Sequence, residues 1–298
     1  DHIEDNEFLK RSTRHYDIPR ISSLLNNPKN KKYTLHETSN LISLGIPHKE
    51  IDSSIAKQLL RYAFVHYAKV GFINQEQAAK RLLHSESIND LSADDVHIVV
   101  LEKATAKIMA YSTLKAPIDL DVQFSKNERA HYSVENAFGK NLYTGIEALA
   151  KYNLEQVREI GRVVKTHEKD PALSGKVGVM LLAAYKALIT NPENNIDAMV
   201  GDGENNVTLR NLELYGFNPN IIHSAEVSIP ADHLYSSRYA GRAVSPFWFE
   251  IKNLDQEKAF KFESLLSFKS EQFLNEYQKI KTNSEVKNTT HLLAETES

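Results

Sequence analysis

The residues whose types and spacing most readily do chemistry are Glu159-Ile160-Gly161-Arg162, in a stretch rich in β-branched residues that predicts a strand over 157–165. A carboxylate there can take a proton from an amine, and a guanidinium can bind an anion or brace a loop. Neighbours on a strand alternate faces, so Glu159 and Arg162 point to opposite sides unless Gly161 marks a bulge. The plainer alternative is an ion pair of Glu159 with Arg162 or Arg158 at a strand end. Arg61 with Arg162 would make a charged cluster at a cleft, or each would simply anchor a loop.

Several other chemistries find no support. The chain has no cysteine, which removes thiolate nucleophiles, disulfides and cysteine metal sites. Its 12 histidines include His97, His131, His167, His223 and His233, none at a metal-ligand spacing, so no metal is expected. There is no Gly-x-Ser-x-Gly elbow. Gly201-Asp202-Gly203 lacks the Lys-Ser or Lys-Thr of a phosphate loop and reads as a strand exit. A net charge of −3 gives no basic footprint, so a nucleic-acid partner is not expected.

The elements that must position these residues alternate in type. Apolar residues at helical spacing, Ile55, Leu59, Tyr62, Ala63 and Tyr67, predict a helix from Ile51 that stops at Gly71, and a second helix follows over 75–83. Segments 97–102 and 107–114 predict an antiparallel hairpin. Residues 117–129 read as irregular, and 134–152 as a helix with Phe138, Leu142, Ile146 and Leu149 on one face, weakened by Gly139 and Gly145. After the strand over 157–165, Ser174-Gly175 opens an apolar helix over 177–189. A short strand over 196–200 leads to a helix through Leu209, Leu212 and Leu214 that Gly216 ends. Strands over 225–229 and 247–251 follow, and 255–280 reads as one long amphipathic helix before a polar, disordered tail.

This pattern predicts a polar N-terminal arm (1–50), one α/β domain (51–254) and a C-terminal helix with its tail (255–298). The N-terminal residues lack the basic and apolar regions of a secretory signal, and no uninterrupted apolar stretch reaches membrane-spanning length. A cytoplasmic location without a membrane span is therefore the expectation.

The order helix, helix, hairpin, strand, helix, strand, helix and two strands resembles the GNAT superfamily of acyltransferases. Leu60-Arg61-Tyr62, the long connection from residue 115 to 156, and Glu159-x-x-Arg162 resemble its branch of acyl-homoserine lactone and N-acyl amino acid synthases. The resemblance, which covers roughly residues 55–251, implies an α/β fold with a mixed central sheet flanked by helices and two parallel strands that splay apart, to which the C-terminal helical extension is added from its own periodicity. It also implies an acyl thioester in the splay, on coenzyme A or acyl carrier protein, its arm pairing with the strand edge at Val163 and Val164. The phosphates would lie at a helix start formed by Gly175, Lys176, Val177 and Gly178.

On the same basis Glu159 and Arg162 are the expected catalytic residues, with Glu159 as base, and Arg61 is expected to bind the substrate. The acceptor is a small amine such as an amino acid. The usual pyrophosphate signature is absent, since Ala172 and Val177 stand at its outer positions, which favours a carrier-protein donor. Leu212 stands where many members carry a catalytic tyrosine, and Tyr215 is offset from it. These departures leave a second reading, a GNAT-shaped module that senses a ligand or docks a protein without catalysis.

Overall fold

The architecture comes from a computed structural model, which describes the chain except residues 1, 118–123, 125–129 and 297–298. Most of the expected irregular segment 117–129 lies outside the described residues. The helices are α1 (His2–Thr13), α2 (Ser22–Asn26), α3 (Ser53–Lys69), α4 (Gln75–Lys80), α5 (Ser133–Phe138), α6 (Glu147–Ala150), α7 (Pro171–Thr190), α8 (Arg210–Tyr215), α9 (Ser236–Tyr239), α10 (Gln256–Ser264) and α11 (Ser270–Thr296). The strands are β1 (Thr34–Glu37), β2 (Leu41–Pro47), β3 (Val96–Glu102), β4 (Ile108–Lys115), β5 (Val157–Lys165), β6 (Ala198–Glu204), β7 (Asn220–Ile221) and β8 (Val244–Glu250).

The strands form one sheet in the order β1-β2-β3-β4-β5-β6-β8-β7. Every neighbouring pair is antiparallel except β5 and β6, which are parallel because α7 crosses between them. One face of the sheet packs against α7, α8, α10 and α11 through a core that includes Met180, Tyr185, Met199, Phe247 and Phe249. The other face is covered by α3, whose Leu59, Tyr62 and Ala63 meet Leu44, Val99 and Tyr111, and further along by α5 and the loop after it. Helix α7, 20 residues, is long and apolar enough by composition to cross a membrane, but its apolar side chains form the centre of the first core.

Five sequence expectations change. Residues 1–50 are not only an arm, because β2 pairs with β3 along its whole length and its Leu41, Leu44 and Ile46 are buried. The helix expected over 134–152 is two short pieces, since Gly139 and Gly145 take positive φ values of 103° and 86°. Helix α7 starts at Pro171, where Asp170 caps the amides of Ala172 and Leu173 and the proline presets the first turn. No strand forms over 225–229; the edge of the sheet is instead Asn220–Ile221. The C-terminal helix breaks around Phe268 into α10 and α11, and α11 continues through Thr296, where a disordered tail was expected.

Candidate active site at the separation of two strands

Strand β5 sets the geometry. Opposite β4 it pairs Val163 with Ser112 and Ile160 with Leu114, so Gly161 and Arg162 together oppose Thr113. That extra residue is a β-bulge. Only glycine fits at 161, because a Cβ there would stand 2.3 Å from Thr113 Oγ1 and 2.8 Å from Thr113 O. The bulge resets the alternation, so Glu159 and Arg162 lie on one face, the face covered by α3 and α5.

Strands β5 and β6 pair only at Val157 with Ala198, Arg158 with Met199 and Glu159 with Val200. Beyond these, β5 continues on β4 to Lys165 and β6 continues on β8 to Glu204, so each keeps its outer partner while their facing edges separate. The wedge opens at the bulge. Val163, in the middle strands of the sheet, is 40% exposed, as a residue beside an open groove must be.

The separated parallel pair is what the sequence resemblance implied, and the bulge decides the alternative that strand alternation left open at Gly161. The fold is of the GNAT type. No family model matches the chain, and no curated protein matches it in sequence. Among solved structures it is similar to the AHL synthase LasI, at 12% identity and a TM-score of 0.49, covering 75% of this chain and 96% of that one. It is also similar to BjaI, a CoA-dependent acyl-homoserine lactone synthase with SAM and isopentyl-CoA bound (14% identity, TM-score 0.44, 76% of this chain and 89% of that one). A third is a GCN5-related N-acetyltransferase from Brucella melitensis (14% identity, TM-score 0.39, 85% and 90%). The fold assignment rests on the strand order and the wedge.

Glu159 sits at the closed end of the wedge and is 3% exposed. Its carboxylate accepts hydrogen bonds from the amides of Ser133 (3.0 Å) and Val134 (2.8 Å), at the start of α5. Glu135 accepts in the same way from the amides of His131 and Tyr132, at 3.1 and 3.3 Å. The two carboxylates thus organise the end of the long connection. Burial pushes Glu159 up to about 7, against the lowering effect of the Val134 amide and Lys115. Burial likewise pushes Glu135 up to about 7.

Arg162 is largely buried and bonds Glu86, which also accepts from Tyr235. Burial opposes the Arg162 charge, but Glu86 beside it raises the pKa, so the guanidinium stays charged. Tyr67 of α3 packs its ring against Phe72 and Tyr235, at 5.5 and 6.1 Å between centroids, and is near enough to the Val163 amide, Arg238 and Arg162 to feel all three. Burial pushes Tyr67 up to about 12, so it keeps its proton at neutral pH. Across the wedge Asp202 of β6 pairs with Arg238 at 2.7 Å and accepts from Tyr239 Oη at 2.7 Å. Residues 231–243 therefore close over the site, tied down by the Asn74 side chain to Ala231 O at 3.1 Å.

The structure brings Glu159, Arg162 and Val163 together, while Val164 points into the α3 core. It does not bring Arg61 to them. Arg61 bonds Ser12 O and His84 O and stacks on Tyr16, so it fastens α1 and the turn after α4 to α3. Its neighbour Tyr62 reaches the end of β5 instead, with its hydroxyl 2.9 Å from Thr166 Oγ1.

Nor do Gly175, Lys176, Val177 and Gly178 form an amide cradle, because they lie inside α7 and the first free amides are taken by Asp170. A Cβ on Gly175 would stand 2.6 Å from Phe273 of α11, and Val177 is buried. Tyr215 is enclosed by Phe217 and Phe262 and bonds Glu263, which makes it a core residue.

Sequence reasoning missed Tyr67, Glu86, Asp202 and Arg238. Asp202 had a signal: the alternation of β6 runs on through Glu204, which puts Asp202 inside the strand and on the Glu159 face. The other three come from elements whose placement over the wedge is a tertiary fact.

Proposed function

We propose that this chain is an N-acyltransferase that moves an acyl group, of the fatty acyl class, from a thioester to a small amine such as an amino acid. One observation carries the proposal: the facing edges of β5 and β6 part after Glu159 and Val200, and a titratable carboxylate and a protonated tyrosine stand at the parting. An unpaired strand edge is a template for an amide-bearing arm such as pantetheine.

The arm would pair along β5 near Val163, with the thioester carbonyl in reach of the Val163 amide and the Tyr67 hydroxyl. Donors aimed at the developing oxyanion stabilise it most where water is excluded. The amine attacks directly in a ternary complex; the C–N bond forms as the C–S bond breaks. Glu159 takes the amine proton, each of its oxygens keeping a second lone pair beside its amide bond. Tyr67 supplies a proton to the leaving thiolate, and Arg162, held by Glu86, fixes the acceptor end. The closed amides at Asp170 and the absent pyrophosphate signature favour a carrier-protein donor over free coenzyme A.

The second reading, a ligand-sensing or protein-docking module without catalysis, draws on the same Asp170 cap and on Leu212 in the place of the usual tyrosine, buried in the core. Thermal shift with acyl-coenzyme A, acyl carrier protein and their free forms, followed by mass spectrometry for an N-acylated amine, separates the two. Stabilisation with product supports transfer; stabilisation without product across an amine panel supports the sensor.

A further inference from the structure

Arg61 stands away from the wedge, yet its bonds lead back to it. From the middle of α3 its guanidinium reaches the last turn of α1, where it bonds Ser12 O and, at 3.3 Å, Ser12 Oγ. The same guanidinium bonds His84 O, and Ser12 Oγ lies 2.8 Å from His84 Nδ1, so the three residues form one knot. Tyr16 stacks on it, with its ring centroid 5.4 Å from the Arg61 guanidinium carbon. Two residues beyond His84 comes Glu86, the carboxylate that holds Arg162 through Nε and accepts from Tyr235.

Helix α1 supports the same turn by packing. Leu9 is buried beside Phe64 and Ala78, in a small core on which Leu83, Tyr67 and Tyr235 lean. Phe8 packs its ring against His84 at 5.2 Å between centroids. The turn itself is tight, since the Leu83 amide closes on Ala78 O at 2.9 Å and Leu82 takes a positive φ of 49°. A left-handed residue other than glycine persists only where its surroundings hold it. The knot at Arg61 and the ring of Phe8 are such holds, placed just before Glu86. The side chains of Glu86 and Arg162 are only 5% and 13% exposed, and a buried ion pair is favourable only while its geometry is kept. A misplacement of about 1 Å at a reacting centre can cost roughly 100-fold in rate.

We propose that Arg61 is a positioning residue for the acceptor side of the wedge: it fixes the turn His84-Ser85-Glu86, Glu86 fixes Arg162, and α1 belongs to the same brace through Ser12. This deepens the acyltransferase proposal and rests on it for the role of Arg162. Arg61 touches neither substrate; it acts through the bond between Glu86 and Arg162.

The test is the exchange of the Arg162 Nε proton with water, followed by heteronuclear NMR on the full chain, together with steady-state kinetics. Glu86→Gln removes the charged acceptor and marks the rate of the unheld group. Arg61→Lys keeps the charge and the stem but lacks the planar fork that bonds Ser12 and His84 together. Its Arg162 Nε proton should exchange about tenfold faster, or more, as expected when one charge-assisted hydrogen bond opens more readily. Arg61→Gln should approach the Glu86→Gln rate. Ser12→Ala removes only the shared hydroxyl and should give a smaller shift of the same sign, a readout that stands even if an Arg61 variant does not fold. In transfer assays the Arg61 variants raise KM for the amine several-fold and leave KM for the donor unchanged, a split that a general loosening of the fold does not produce. Adding Arg61→Lys to Glu86→Gln changes the amine KM no further, because the two residues act in series. Wild-type exchange in the Arg61 and Ser12 variants, equal rises in both KM values, or multiplying effects in the double variant each overturn the positioning role. Faster exchange in a chain that transfers no acyl group overturns the enzyme reading and leaves the brace standing.

Discussion

Glu159 and Arg162 face the same side of the sheet although three positions separate them, because Gly161 and Arg162 together occupy the place opposite Thr113. The acyltransferase account depends on that bulge, since it aims both side chains at the wedge. Gly161→Ala puts a methyl group 2.3 Å from Thr113 Oγ1 and 2.8 Å from its carbonyl oxygen, so the strand must move. The expected cost is about 1–3 kcal/mol in urea unfolding, with a loss of kcat/KM beyond what the remaining folded fraction explains. Unchanged activity in the folded variant would mean that the bulge does not aim the site.

Glu159 carries a pH signature with two readouts. As a base with a pKa of about 7, it predicts kcat/KM rising with pH through that value, and Glu159→Gln should be roughly 100-fold or more slower and lack the rise. The stability effect has the opposite sense. The unfolded carboxyl ionises near 4.5 and the folded one near 7, so the folded state holds more protons between them and loses stability as pH rises across that window. Moving from pH 4.5 to well above 7, the variant should gain about 3 kcal/mol relative to the wild type. A constant stability difference between the two proteins would place Glu159 in an environment that ionises freely.

His97 tests the other side of the α3 face. Its Nδ1 lies 2.7 Å from Tyr111 Oη and its Nε2 lies 2.9 Å from His48 Nδ1, and burial, with His48 adding to it, pushes the ring down to about 3. A depressed histidine gives stability that is present above pH 6.5 and lost as pH falls towards the folded value. His97→Gln removes that loss, so the penalty of the substitution should shrink by about 2 kcal/mol between pH 6.5 and pH 5. A penalty that holds steady would show that His97 takes up protons normally in the folded state.

Tyr67→Phe removes the hydroxyl beside the Val163 amide while leaving the ring against Phe72 and Tyr235. Donor affinity should change little, and kcat should drop about 10- to 100-fold, the range expected for one lost acid or oxyanion donor. Equal effects on both constants would make Tyr67 a packing residue.

What the sequence disclosed follows periodicity. The hairpin β3–β4, strand β5, the apolar α7 and the glycine-capped α8 each carry a strong local pattern, whereas Gly161 left the bulge as one of two alternatives that only the pairing with β4 decides. Helix starts were harder: Asp170-Pro171 opens α7 by a cap and a proline, yet Ser174-Gly175 drew the boundary inward. Leu41–Pro47 is a buried strand that polar neighbours made look like an arm, and pairing with β3 is what decides it. Arg61 lay in a matching motif but its partners, Ser12 and His84, are distant in sequence. Tyr67, Glu86 and Arg238 converge from α3, the turn after α4 and the covering loop, and no local period encodes such a meeting.

The most direct measurement is thiol release from an acyl thioester. The chain contains no cysteine, so every thiol detected comes from the donor. With acyl-coenzyme A or acyl carrier protein and a panel of amino acids, the account predicts thiol release that requires an amine, equals the N-acylated product by mass, and is lost in Glu159→Gln. Thiol release independent of amine, or none with any donor and amine, would contradict it.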